Sequence, residues 1–196
     1  MNFIKGVIFI NKKTLALTVE QYHEVIGAMQ TGFSGCRPNK AMAMALIVEA
    51  NIGLRISDIL RLKLSDIVKD GDRYRLNIKE RKTGKERFFT VLTEAYQHLK
   101  IYCLENNIPA DERIFKFTNR GVQNKLKKVC GYLEYEGIST HSFRKFFATQ
   151  IYVNNGYNIV LVQKLLQHST PAVTQHYIGI QPRQIETALE KHNYWQ

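Results

Sequence analysis

The chain has 196 residues with 44% hydrophobic content, enough for one solid core, and its 28 Lys and Arg against 17 Asp and Glu give a net charge of +11. This excess favours a polyanionic partner such as nucleic acid, although a basic surface that is merely solvated is the alternative. Three widely spaced cysteines exclude a disulfide framework and a zinc site, and no apolar run is long enough to span a membrane or to form a signal peptide, so we expect a cytoplasmic protein with reduced thiols.

Helical periodicity dominates the first sixty residues. Thr18 is a hydroxyl cap before an apolar-periodic run, and it predicts a helix that ends near Thr31. Residues 41–50 are so apolar that their helix must be buried almost all round. Gly53 ends that helix, and a second, short helix is predicted to begin near Ile56.

The period of the pattern then changes from helical to alternating. Residues 74–78 alternate apolar and polar side chains, and residues 87–91 follow after a turn at Thr83-Gly84-Lys85. This pattern is typical of a β-hairpin, with a possible third strand at residues 64–67.

Helical periodicity returns at Thr93 and holds, with breaks, to the end of the chain. The caps and breaks predict helices over residues 118–133, 139–154, 158–167 and 182–192, with a short one that opens at Thr170-Pro171. The sequence therefore predicts a fold that is mainly α with a small antiparallel β-sheet.

Six residues with the chemistry of phosphodiester cleavage are spread through these elements. In chain order they are Arg55, Lys82, His141, Arg144, His168 and Tyr177. They stand in the strings Gly-Leu-Arg-Ile-Ser-Asp, Arg-Lys-Thr-Gly-Lys, Thr-His-Ser-Phe-Arg, Leu-Gln-His-Ser-Thr and Gln-His-Tyr-Ile-Gly. In order and spacing the series resembles the catalytic domain of the tyrosine recombinases, the phage-integrase family, from about residue 17 to about residue 189.

The resemblance implies that Tyr177 attacks a DNA phosphodiester and forms a covalent 3′-phosphotyrosine. Arg55 and Arg144 would hold the nonbridging oxygens bidentately, and Lys82 would protonate the leaving 5′ oxygen. The two histidines would shuttle protons or brace the phosphate. A site with this much fixed positive charge needs no metal, and we expect no cofactor.

Several of these residues have a second interpretation. Arg55 would also suit a surface ion pair with Asp58, whereas the resemblance implies that Asp58 holds an arginine or a histidine in place. Lys82 is preferred to Lys85 as the residue that protonates the leaving oxygen, because the Lys-Thr-Gly-Lys string places it at the turn as in the family. The alternative is that this run of charged residues only forms a solvent-exposed surface. Lys145 stands where the family usually has a second histidine.

His141 and Arg144 are three residues apart, so they are predicted to share one helix face near a helix N-terminus, where backbone amides favour a phosphate. A capped helix with ordinary polar residues on its solvent-exposed side would give the same sequence pattern as His141 and Arg144. His168 also has a second interpretation, because a cationic histidine at the end of a helix interacts favourably with the helix dipole. We expect these three side chains and Arg55 to converge on one anion-sized pocket, even if the Tyr177 hydroxyl points away.

The partner implied by the resemblance is double-stranded DNA, bound by a homotetramer on paired sites, with a monomer possible without DNA. The lysines predicted to contact phosphates are Lys85, Lys125, Lys127, Lys128 and Lys145. The segment 182–196 would reach a neighbouring subunit or fold back onto its own core. A catalytically silent DNA-binding regulator with the same fold is the rival function, and the occupancy of every catalytic position argues against it.

The domain organisation follows from the same resemblance. Residues 1–17 are interpreted as an extension or linker and residues 18–196 as the catalytic domain. Only about seventeen residues precede Thr18, so we expect the N-terminal helical domain that usually precedes the catalytic domain in the family to be absent. Either the chain is a fragment of a longer integrase, or it resembles the short one-domain recombinases that invert promoters.

Overall fold

A computed structural model of the protein describes residues 14–79, 84, 86–178 and 190. These residues form eight α-helices and one three-stranded antiparallel sheet, as the sequence pattern predicts. Among them, no helix combines the length and the apolar character that a membrane span requires. The predicted helix at 182–192 and most of the predicted hairpin turn lie outside the described residues.

Three helices come first in the described part of the chain: α1 (Val19–Thr31), α2 (Lys40–Ile52) and α3 (Ile56–Ile59). Thr18 and Gln21 cap α1 reciprocally, since each side chain accepts a hydrogen bond of 3.1 Å from the backbone N–H of the other. Helix α2 is buried around most of its circumference, as the apolar run predicts. It lies at the centre of the main hydrophobic core.

The sheet contains the strands β1 (Ile67–Asp70), β2 (Arg73–Lys79) and β3 (Glu86–Val91), paired in the order β1-β2-β3. The third strand was predicted three residues too early, because Leu64–Asp66 form a 3-10 turn instead. The Asp66 carboxylate accepts the backbone N–H of Lys63 at 2.8 Å, and this local bond stabilises a turn over an extended start.

Five further helices follow the sheet among the described residues. They are α4 (Thr93–Glu105), α5 (Asn119–Tyr132), α6 (Thr140–Asn154), α7 (Ile159–Leu166) and α8 (Pro171–Ile178). Thr118 caps α5 and Asn158 caps α7 through side-chain hydrogen bonds of 3.1 and 3.0 Å to backbone N–H groups, at the positions predicted from the sequence.

A small second cluster of buried side chains joins the last three helices. Ala148 of α6, Val162 and Leu166 of α7 and Ile178 of α8 form this cluster, and the ring of Tyr177 packs against it. The packing therefore fixes α8, and with it Tyr177, against α6 and α7.

Gly53 allows α2 to end in close contact with α6. It has φ +70°, a left-handed conformation, and a Cβ at this position would lie 2.3 Å from the ring of Phe147 on α6. The chain then continues in an extended conformation at Arg55 before α3 begins. Glycine is required here by both backbone conformation and space.

Replacing Gly53 by alanine is expected to lower the free energy of unfolding by about 2–4 kcal/mol, from steric overlap and from left-handed strain. Gly35→Ala is the matched control, because Gly35 has φ +76° but open space around it. The control isolates the backbone term, for which we expect about 1 kcal/mol. Denaturant unfolding of both variants measures the difference, and equal losses would contradict the role of Phe147.

Candidate active site

Arg144 lies at the centre of the candidate site, near the start of α6. Its side chain is only 3% exposed, and its Nη2 donates a hydrogen bond of 3.3 Å to the backbone carbonyl of Leu166 at the end of α7. A guanidinium can be buried in this way when carbonyl, carboxylate or phosphate oxygens take its five N–H donors. The contact ties α6 to α7 and fixes the direction of the guanidinium.

Tyr177 lies next to this guanidinium. Its ring is half-buried and its hydroxyl oxygen is buried. The ring packs edge-on against His168, with 5.2 Å between ring centroids, and the Lys145 ammonium lies 5.3 Å from the centre of the tyrosine ring. The phenol is thus surrounded by cationic or ionisable side chains, and its hydroxyl points into the cluster.

The surroundings of Tyr177 change the acidity of its phenol. Burial raises the pKa of Tyr177 to about 12, because a phenolate is poorly solvated there. The positive charge of Arg144 opposes this shift, the negative charge of Glu49 adds to it, and Arg55 opposes it as well. The phenol is therefore protonated at neutral pH, and the two arginines favour its ionised form.

His168 lies beyond the end of α7, where Gln167 adopts a left-handed conformation that terminates the helix. Its Nδ1 lies 3.0 Å from the hydroxyl oxygen of Thr174, which is fully buried on α8. The hydroxyl holds the imidazole against the face of α8 that carries Tyr177. Sequence reasoning did not assign a role to Thr174, and a polar residue one turn before the tyrosine was the available signal.

The remaining predicted residues differ in burial. His141 is exposed, although Arg144, three residues on, is buried, so sharing a helix face did not give the two the same environment. Asp58 on α3 is 3% exposed, which does not fit a simple surface ion pair with Arg55. Lys82 lies outside the described residues.

The lysines predicted to contact DNA fall into two groups. Lys127 and Lys128 are exposed on α5, whereas the Lys125 ammonium donates to the backbone carbonyl of Arg37. Lys145 donates a hydrogen bond of 2.6 Å to the Thr14 carbonyl and lies over the Tyr177 ring, so it belongs to the candidate site. Lys85 lies outside the described residues.

Glu49 is a member of this neighbourhood that sequence reasoning missed. It is fully buried on α2, where burial raises the pKa of its carboxyl and the positive charge of Arg144 opposes that shift, and its own negative charge raises the pKa of Tyr177. The available signal was a carboxylate within a run predicted to be buried almost all round, since glutamate is rarely buried without a partner.

Comparison with known proteins identifies the family. The family model described as "Phage integrase family" matches residues 16–183. The chain belongs to the phage integrase family. A probable integrase/recombinase of Acholeplasma phage L2 is 30% identical over 149 residues, which cover 73% of this chain and 50% of that protein. The probable integrase/recombinase YoeC of Bacillus subtilis is 32% identical over 149 residues, covering 72% of this chain and 79% of that protein.

The tyrosine recombinase XerC of Leptospira interrogans is 33% identical over 150 residues, covering 71% of this chain and 46% of that protein. The chain thus spans about half the length of the phage L2 and Leptospira relatives.

Solved structures of other proteins share the fold. A structure of XerH site-specific recombinase bound to palindromic difH substrate, in a post-cleavage complex, matches 92% of this chain and 54% of that chain, with a TM-score of 0.68 at 19% identity. The catalytic domain of bacteriophage HP1 integrase matches 92% of this chain and 96% of that chain, with a TM-score of 0.62 at 20% identity. The described chain therefore has the fold of an integrase catalytic domain.

Proposed function

We propose that this chain is the catalytic domain of a site-specific DNA recombinase that cleaves and rejoins strands through a covalent 3′-phosphotyrosine at Tyr177. The observation that carries the proposal is the placement of a buried phenol beside Arg144, within the field of Arg55. The solved XerH complex with its DNA substrate and the recombinase relatives support DNA as the substrate class.

In the proposed reaction, the Tyr177 oxygen forms a bond to the scissile phosphorus while the bond from phosphorus to the 5′ oxygen breaks. Arg55 and Arg144 bind the nonbridging oxygens, where negative charge accumulates in the transition state. The phenol proton leaves as the new bond forms, and Lys82 donates a proton to the 5′ oxygen. Rejoining is the reverse sequence, so the energy of the phosphodiester is conserved in the phosphotyrosine.

The histidines complete the proposed site. His168 lies against Tyr177 and is held by Thr174, a position from which its ring can brace a phosphate or move a proton. His141, exposed one turn before Arg144, would bind the phosphate from the solvent side. Buried Asp58 would hold one of these cationic side chains in place.

Covalent capture tests the proposal. A library of nicked suicide duplexes with randomised core sequence is incubated with the protein, and SDS-resistant adducts are isolated and sequenced. Nicking next to the scissile phosphate lets the short 5′ product diffuse away and traps the phosphotyrosine. A recombinase is expected to yield adducts enriched in one sequence. DNA binding without any adduct would contradict the proposal and support the rival function, a catalytically silent DNA-binding regulator.

The assembly is part of the same proposal. We propose a homotetramer on paired duplex sites, with Lys127 and Lys128 on the exposed face of α5 contacting phosphates. Light scattering of the chain with and without its captured duplex measures the change in subunit number.

Binding to DNA is expected to weaken steeply with salt. The logarithm of affinity should fall linearly with the logarithm of salt concentration, by about 0.9 for each phosphate contacted, because bound counterions are released. Fluorescence anisotropy with the captured duplex measures this slope. Replacing Lys127 and Lys128 by glutamine together should reduce its magnitude by roughly 1.8.

Lys116→Gln is the matched control for these lysines, because the Lys116 ammonium already pairs with Glu112 at 2.6 Å. Its slope is expected to equal that of the unchanged chain. A slope near zero for the unchanged chain would contradict a role of the +11 charge in DNA binding.

A further inference from the structure

Gln167 has a strained backbone and no role in the proposed reaction. It ends α7 with φ 53° and ψ 41°, a left-handed conformation that glycine adopts freely and that a residue with a Cβ adopts only at a cost. Glycine is the common residue at such a helix end. A longer side chain in this conformation points to a function for the side chain, which its contacts should show.

The side-chain amide of Gln167 contacts the sheet. Its Nε2 donates a hydrogen bond of 3.4 Å to the backbone carbonyl of Glu86, 81 residues away in the sequence. The reverse orientation of the amide would bring two oxygen atoms together, so the donor faces this carbonyl. The Oε1 atom is buried and makes no hydrogen bond with the described residues. Because a buried acceptor without a donor is unfavourable, local stability does not explain this side chain.

Glu86 lies where the described part of the hairpin ends. It is the first residue of β3, and it pairs with Lys79, the last residue of β2. In the sequence, residues 80–85 connect the two strands, and they include Lys82, the proposed proton donor. The hydrogen bond from Gln167 therefore fixes the pair of residues that this connection joins.

The residues on either side of Gln167 belong to the candidate active site. The Leu166 carbonyl accepts the hydrogen bond of 3.3 Å from Arg144, and His168 follows Gln167 directly. The backbone of His168 is held twice by Gln163, whose carbonyl accepts the His168 N–H at 3.1 Å and whose side chain donates to the His168 carbonyl at 3.2 Å. Gln167 thus joins the sheet to a firmly held segment of the site.

We infer that Gln167 is a positioning residue for strand cleavage: its side-chain amide holds the base of the β2–β3 hairpin against the end of α7, so that Lys82 meets the leaving 5′ oxygen while Arg144 holds the phosphate. The inference rests on the proposed function, in which Lys82 protonates that oxygen. Gln167 touches neither the phosphate nor Tyr177 in this assignment.

The test begins with two variants of Gln167. Gln167→Gly removes the side chain together with the backbone strain, and Gln167→Met keeps a side chain of similar length without an N–H donor. Single-turnover cleavage of the captured suicide duplex at saturating DNA is expected to slow about 10- to 100-fold in both, because a displacement of about 1 Å in a catalytic group has an effect of this size. DNA affinity should stay within about threefold.

A duplex with sulfur in place of the leaving 5′ oxygen shows which step is affected. The phosphorus–sulfur bond breaks with its electron pair on sulfur, and the thiolate leaves without taking up a proton, since a thiol ionises at about pH 8.5 and an alcohol far above that. Both Gln167 variants should cleave this duplex within about threefold of the rate of the unchanged chain. Equal losses on both duplexes would overturn the inference, because the defect would then lie at the phosphate or at Tyr177.

Thermal stability separates positioning from folding. Glycine relieves the left-handed strain, so Gln167→Gly should melt at the temperature of the unchanged chain or up to about 4 °C above it. Asn107→Gly is the matched control, because Asn107 has the same φ of 53° and follows α4. Its cleavage rate should equal that of the unchanged chain on both duplexes.

The two proposals fail in different ways. If the unchanged chain forms no covalent adduct with any duplex, the proposed function is wrong. If it forms the adduct and both Gln167 variants cleave the ordinary duplex at the unchanged rate, only the role of Gln167 is wrong. Lys82→Ala is the reference, since it should lose rate on the ordinary duplex and recover it on the sulfur duplex. A failure to recover would overturn Lys82 as the proton donor, and with it this role of Gln167.

Discussion

Replacing Tyr177 by phenylalanine is expected to abolish covalent attachment to DNA. The substitution removes only the attacking oxygen and leaves the ring packed against His168 and the cluster of α6, α7 and α8. DNA affinity should therefore stay within about threefold of the unchanged chain, since the phosphate contacts that supply affinity are retained. SDS gel electrophoresis of the labelled suicide duplex measures the adduct, and anisotropy measures binding.

Tyr157→Phe is the matched control for this experiment. Tyr157 is 53% exposed and its ring packs edge-on against Tyr152, so the same phenolic oxygen is removed there from an exposed tyrosine. The control should form the adduct at the rate of the unchanged chain. An adduct that persists in Tyr177→Phe would assign the nucleophile to another tyrosine.

Replacing Arg144 by lysine is expected to slow cleavage by about 10³-fold or more, in the range that single arginines contribute to phosphoryl transfer. Lysine keeps one charge but loses the planar fork that bonds two oxygens at once. It would also lose the hydrogen bond to the Leu166 carbonyl, and a buried ammonium gives up its proton more readily than a guanidinium. Single-turnover cleavage at saturating DNA measures the effect.

Arg120→Lys is the control for the chemical change itself. Arg120 is exposed in the first turn of α5, so the same exchange there should alter the cleavage rate by less than about threefold. A loss below about tenfold in Arg144→Lys would contradict a direct contact between this guanidinium and the phosphate.

Local sequence signals predicted most of the helices and strands. The Thr18 and Asn158 caps, the alternation at residues 74–78 and the Thr170-Pro171 start act within a few residues of chain, so their effect does not depend on the fold. The third strand was predicted to begin at Leu64, and this error also has a local cause. The Asp66 carboxylate accepts a hydrogen bond from the Lys63 backbone N–H, which stabilises a turn at the place where the pattern predicted a strand. The family resemblance named the cationic series around Tyr177 before any geometry was known.

Burial was decided only by the tertiary structure. His141 and Arg144 lie on one stretch of α6, but the end of α7 covers Arg144 and leaves His141 exposed. The sequence predicts that Lys145 contacts phosphate and that it stands where the family usually has a second histidine, but not that Thr14 and Tyr177 approach it from distant parts of the chain.

Glu49 shows most clearly which properties follow from the sequence and which follow only from the tertiary structure. The sequence by itself determined that it lies in a buried helix, because the apolar residues around it leave no wet face. Arg144, whose positive charge opposes the upward shift of the Glu49 pKa, is 95 residues away on α6, the helix whose Phe147 packs against Gly53 at the end of α2. Periodicity reports which face of an element is apolar, whereas the partner of a buried charge depends on long-range packing, and that partner decides what the charge does.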